Sequence, residues 1–288
     1  MKIIKYFFEF ISVILLFVIF KLLGRKNASN FGCFIAKNIG SLFRSNKKIV
    51  KNLEIAFPDL CAEEKKKIIK NMWCNIGRTF GEYVFLDEFQ KSQNIIKLHG
   101  LENIKLINKP TVFISGHFAN FELMAMELEK QNLQISAIYR PLNNFFLNPI
   151  MEYWRKKYIC INQIPKKIPG TKSDGTKQFI KAAMNKKNIA VMVDQSITQG
   201  KKIIFFNKDA YTTLIPSQLF LKYDYQIIPL HIERINNHQF NIYIQPPMNL
   251  DKTIENEISI ARKINIIIEK MICKNPGQWI WTHNRWKS

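Results

Sequence analysis

Acidic residues are scarce in this chain: 22 Asp and Glu stand against 43 Lys and Arg, for a formal net charge of +21. A surface of that sign attracts anionic lipid headgroups, phosphorylated substrates, acidic carrier proteins or nucleic acid. Arginine is also sparse, at eight of the 43, and Ile and Asn are abundant, so part of the lysine excess reflects a compositional bias. Zinc-finger, RNP-like and Gly-x-x-Gly clamp patterns are missing, and the lysines are scattered rather than striped, which puts nucleic acid last among the partners. The five cysteines (Cys33, Cys61, Cys74, Cys160, Cys273) are odd in number and far apart, with no Cys-x-x-Cys. That pattern speaks against a disulfide frame and a structural zinc site, and fits a reducing compartment. No internal repeat or low-complexity linker interrupts the 288 residues, and an apolar fraction of 47% supports a substantial core.

What is present begins at the N-terminus. Tyr6 to Leu23 is apolar and aromatic except for Glu9, Ser12 and Lys21, and it is bracketed by Lys2 and Lys5 on one side and Arg25 and Lys26 on the other. A spanning helix needs about 20 apolar residues, so the length leaves open whether the segment crosses a bilayer or lies in its interface. No small-x-small cleavage site follows, which favours an uncleaved membrane anchor over residues 1–26. Continuing positive charge at Lys37, Arg44, Lys47 and Lys48 predicts that the rest of the chain stays on the cytoplasmic side.

Residues 27–95 read as a helical layer. From 96 to 288 the pattern changes to strands alternating with helices. Strands are predicted at Thr111–Ile114, Leu133–Tyr139, Ile189–Val193, Gln226–Glu233 and Phe240–Gln245, with a short extended piece at Ile203–Phe206. Helices are predicted from Phe118 to about Gln131, from Asn148-Pro149 through Tyr158, at Thr176–Lys186, at Pro216–Tyr223 and from Glu255 to about Lys274. The fold class is α/β, with a mixed, mainly parallel central sheet flanked by helices.

Open sheets of this kind bind ligands at the carboxyl ends of their strands. His117, Arg140 and the pair Asp194-Gln195 all fall at such ends. His117 and Glu122 stand five residues apart across the first strand-to-helix turn. Glu122 is expected to touch the imidazole and fix its tautomer, so that His117 can take a proton from an alcohol attacking an acyl carbonyl. Backbone N–H groups of that turn are candidate oxyanion donors. Arg140 suits bidentate binding of phosphate or carboxylate, and Arg155 on the next helix is a further candidate. His283 and Arg285 are read as structural support for a tryptophan-rich tail.

These residues carry a resemblance. Gly116-His117-Phe118-Ala119-Asn120-Phe121-Glu122 is similar to the catalytic block of the lipid A late acyltransferases, usually Gly-His-Phe-Gly-Asn-Trp-Glu. These are lauroyl and myristoyl transferases within the His-x4-Asp/Glu glycerolipid acyltransferase group. Asn52 to Pro58, Met72 to Arg78, Tyr139-Arg140-Pro141, Val193-Asp194-Gln195 and the tail Pro276 to Lys287 fall in that family's order. Ala119 and Phe121 depart from its usual Gly and Trp, leaving acyl-chain preference open.

The resemblance implies a bacterial inner-membrane enzyme that moves a fatty acyl group from acyl carrier protein to a hydroxyl of a lipid A precursor. It implies His117 and Glu122 as catalytic residues and Arg140, Arg155, Asp194, Gln195 and Asn120 as substrate-binding ones, with neither metal nor cofactor. Two other readings compete: an acyltransferase for another membrane glycolipid, and a non-catalytic basic protein of the membrane surface.

Overall fold

The apolar N-terminal run folds as α1, Lys2–Phe43, bent at Gly24, whose φ of 72° lies outside helical geometry. The computed structural model describes residues 2–166, 175–197 and 200–287. Before the bend the helix leaves Ile3, Phe8, Leu15 and Leu22 exposed, and it is long and apolar enough to cross a membrane. The helix continues past residue 26, so a kink, not a break, joins the apolar segment to the helical layer.

That layer comprises the second half of α1, α2 (Asn46–Ala56), α3 (Ala62–Glu82) and α4 (Leu86–Lys91). Small residues let α1 and α3 cross closely: a Cβ on Gly77 would stand 2.1 Å from the Gly32 carbonyl oxygen, and one on Gly81 2.5 Å from that of Ala28. The same approach brings the Cα atoms of Cys33 and Cys74 to 4.0 Å, and the two form a disulfide. This corrects the expectation of no disulfide, and the cysteine pattern no longer argues for a reducing compartment. The partners are 41 residues apart in the chain, and only the helix crossing makes them neighbours.

The remaining elements follow in order: β1 (Ile96–His99), β2 (Thr111–Ser115), α5 (Glu122–Lys130), β3 (Ile135–Tyr139), α6 (Asn148–Trp154), β4 (Asn162–Pro165), α7 (Thr176–Met184) and β5 (Asn188–Met192). Then come β6 (Lys201–Phe205), β7 (Lys208–Thr212), α8 (Ile215–Tyr223), β8 (Gln226–Ile235), β9 (Gln239–Ile244) and α9 (Glu257–Lys274). Seven strands form one sheet in the order β1-β9-β8-β2-β5-β3-β4; β6 and β7 form a separate hairpin. Every pairing in the large sheet is parallel except β8 with β9, so the predicted class holds.

Sequence patterning missed β1, β4 and β7. β1 and β4 are four-residue edge strands carrying polar side chains, which leave no run of buried positions to detect. The helix expected from Phe118 begins four residues later, at Glu122. Residues 118 to 121 are instead held by a bridge between Phe118 and Trp279 and by the Ala119 amide on the Gln278 carbonyl. Asn148 is the first residue of α6, and in the turn before it Asn144 Oδ1 receives the Phe146 and Leu147 amides at 3.0 and 3.3 Å. After Trp154, α6 passes into a single π turn over Arg155–Ile159.

Candidate active site

Because β2, β5, β3 and β4 are consecutive parallel neighbours, the residues following each emerge on one rim. Ser115 of β2 pairs with Met192 of β5, so His117 and Asp194, each two residues further on, face each other. The Asp194 carboxylate accepts from both the backbone and the ring of His117. The His117 amide donates to Oδ2 at 2.8 Å and Nδ1 contacts Oδ1 at 2.8 Å. The Trp279 indole Nε1 also donates to Oδ2, at 2.8 Å. Asp194 is buried, and burial alone would raise its pKa. The His117 charge, both His117 hydrogen bonds and the Trp279 indole outweigh that and bring it down to about 2. A carboxylate held ionised against Nδ1 selects the Nδ1–H tautomer and leaves Nε2 as the basic nitrogen.

Glu122 does not perform this task. Its Oε1 receives both Nε of Arg155, at 3.0 Å, and Nη2, at 2.5 Å, and the pair is mostly shielded from solvent. Residues 118 to 121 lie outside the helix, so the one-turn spacing that would set Glu122 beside the imidazole does not arise. The two bonds leave Glu122 Oε2 without a protein donor among the described residues.

A cleft of about 300 Å³ opens at this rim and brings together His117, Glu122, Arg140, Arg155 and Gln195. Its apolar wall includes Phe121, Ala125, Ala137, Ile159 and Val191, and Lys166 and His283 also line it. Arg140 and Lys166 are exposed cations that follow β3 and β4. The Gln195 Nε2 amide lies 3.3 Å from each ring nitrogen of His117 and 2.8 Å from His283 Nε2.

Two expected ligands are placed elsewhere. Asp194 is sequestered as the partner of His117. Asn120 is buried behind the turn, where its Nδ2 donates to Glu82 Oε2 at 3.1 Å, outside the cleft lining. Three of the turn N–H groups proposed as oxyanion donors are engaged: that of His117 by Asp194, that of Phe118 by the Gly116 carbonyl and that of Ala119 by the Gln278 carbonyl.

His283 and Lys166 went unrecognised as cleft residues. Lys166 follows a strand too short to detect, and His283 reaches the rim only because the C-terminal tail folds back across it. Arg285 matches its structural reading: it is fully buried, its Nη2 donates to Thr212 Oγ1 at 2.9 Å, and its guanidinium stacks over Phe205. Among the described residues, no group of three His, Cys, Asp or Glu side chains converges to hold a metal ion.

Known proteins resemble this chain along most of its length. Lipid A biosynthesis acyltransferase 2 of Shigella flexneri is 25% identical over 260 residues, covering 86% of this chain and 79% of that protein. The lipid A biosynthesis palmitoleoyltransferase of Escherichia coli K12 is 25% identical over 277 residues, covering 89% of this chain and 85% of the relative. Among solved structures, the 1-acyl-sn-glycerophosphate acyltransferase PlsC of Thermotoga maritima aligns with a TM-score of 0.43 at 12% identity, over 89% of this chain and 98% of that one. The model of the bacterial lipid A biosynthesis acyltransferases matches residues 1–288, and the chain belongs to that family.

Proposed function

We propose that the protein transfers a fatty acyl group from the thioester of an acyl carrier protein to a hydroxyl of a lipid A precursor, with His117 as general base. The observation that carries this is the 2.8 Å contact between His117 Nδ1 and a buried, ionised Asp194 at the mouth of the cleft. His117 Nε2 takes the hydroxyl proton as the oxygen bonds to the thioester carbonyl carbon. Collapse of the tetrahedral intermediate breaks the C–S bond, and the imidazolium returns the proton to the departing thiolate.

Gln195 Nε2, within 3.3 Å of both ring nitrogens, is the side-chain donor best placed for the oxyanion. Arg140 and Lys166 bind the anionic groups of the acceptor. Glu122, paired with Arg155 through Oε1, has Oε2 available to accept a second acceptor hydroxyl and so orients the sugar. The chain's +21 charge suits an acidic carrier protein. The apolar half of α1 anchors the enzyme in the bacterial inner membrane, with Lys37, Arg44, Lys47 and Lys48 holding the domain on the cytoplasmic side.

Mass spectrometry of a lipid A precursor incubated with purified protein and an acyl-carrier thioester tests the reading. The mass of one acyl chain should be gained with the native protein and not with His117→Ala. If the native protein adds no acyl group to that acceptor, the substrate assignment is wrong.

A further inference from the structure

A second cleft of about 300 Å³ lies on the other side of the catalytic turn, between α3, the β8–β9 hairpin turn and the start of the C-terminal tail. Its lining is Arg78, Arg234, five asparagines, one glutamine, Cys74 and Gly277, without a single carboxylate. The one acid nearby, Glu82, is saturated. Its Oε1 accepts from Ser29 Oγ at 2.8 Å and from Arg234 Nη1, and its Oε2 accepts from Arg234 Nη2 and Asn120 Nδ2 at 3.1 Å each.

Arg78 has no such partner. It is 7% exposed, and its only protein acceptors among the described residues are neutral: Ser29 Oγ at 3.3 Å and Asn30 Oδ1 at 2.7 Å, both reached from Nη1. Nε and Nη2 are left over. Two guanidiniums therefore face one carboxylate, and the surplus positive charge borders a polar cavity. Burial first, and the Arg234 charge second, hold the Arg78 pKa below its ordinary value. Buried charges of this kind are normally paired.

We propose that this cleft is a binding site for a phosphate group, which pairs with the open Nε and Nη2 edge of Arg78, while Arg234, its donors taken by Glu82, Asn75, Thr79 and the Asn237 carbonyl, adds charge only. A guanidinium fork matches phosphate geometry, and the cavity is large enough for one tetrahedral anion and its water. Two sources share the chemistry, free phosphate and a phosphorylated lipid headgroup. The site is independent of the acyl-transfer reading, although its wall touches the catalytic turn. Asn75 Nδ2 donates to the Ala119 carbonyl at 3.4 Å, and the Gln278 carbonyl receives the Ala119 amide at 3.0 Å.

The test is calorimetric titration of the full-length, detergent-solubilised protein with inorganic phosphate at constant ionic strength. A parallel arm uses micelles doped with phosphatidic acid or, as control, phosphatidylcholine. Saturable binding of inorganic phosphate identifies a free-ion site, and saturable binding of phosphatidic acid alone identifies a headgroup site. Asn237→Asp sets a carboxylate in the wall at a residue whose φ of 64° suits Asp as well as Asn. It should weaken binding by roughly tenfold or more, as should Arg78→Gln. The proposal is overturned if neither probe binds saturably, or if Asn237→Asp and Arg78→Gln both leave the binding intact.

Discussion

Replacing Asp194 with Asn separates the carboxylate that the structure sets against the histidine from Glu122, the one expected from sequence spacing. Asp194 Oδ2 accepts two N–H groups, the His117 amide and the Trp279 indole, each at 2.8 Å. In Asp194→Asn the amide oxygen must occupy that position, because an NH2 there would meet two donors. The NH2 then faces His117 Nδ1, which becomes the acceptor, and the ring proton moves to Nε2. The base is thereby blocked at the atom that must receive the substrate proton.

The lost charge adds to this. The His117 charge and the hydrogen bonds from His117 and Trp279 hold the Asp194 carboxyl down at about 2 against its burial, so a charge that favours the imidazolium is removed with it. Tautomer and charge together predict a fall in kcat of about 10²- to 10⁴-fold. The assay is the initial rate of acyl transfer to a lipid A precursor, run beside thermal unfolding to show that the variant is folded. Glu122→Gln should instead cost a few kcal/mol of stability, since it strands Arg155 without its counter-ion, with a smaller loss of kcat. If Asp194→Asn keeps its rate within threefold of native while Glu122→Gln abolishes it, the imidazole is oriented by Glu122 and the reasoning fails.

Three other outcomes are expected. Ala119 adopts a φ of 43° in the left-handed region, so Ala119→Gly should raise the unfolding free energy by about 0.5–1 kcal/mol with catalysis retained; a decrease in a denaturant titration would contradict the strain. Gly77→Ala places a methyl 2.1 Å from the Gly32 carbonyl oxygen, so α1 and α3 must separate, and a loss of roughly 1–3 kcal/mol should appear in thermal unfolding. His231 is pressed down to about 4, first by burial and with Lys274 adding to it, while Glu233 opposes. Its proton is held more tightly in the unfolded chain, so its contribution is complete above about 6.5 and is lost as pH falls towards 4. His231→Gln should flatten the pH dependence of stability across that window, and an unchanged slope would show that His231 is not its source.

Much of this molecule could be read without coordinates. The apolar run before Gly24, the alternation of strands and helices after residue 110 and the placement of His117, Arg140 and Gln195 at strand ends are all local signals. They depend on which side chains are apolar and on the periodicity of their neighbours, and the structure bears them out as elements and positions. The Cys33–Cys74 bond, the late start of α5 and the partner of the histidine depended instead on contacts between segments distant in the chain. The insertion of β5 beside β2 carries Asp194 to His117 across 77 residues, and the returning tail pins Phe118 and Ala119 and supplies Trp279 and His283. Sequence spacing named the nearest carboxylate, Glu122. The order of strands in the sheet delivered Asp194 to the imidazole, because parallel neighbours present their ends together whatever their separation along the chain.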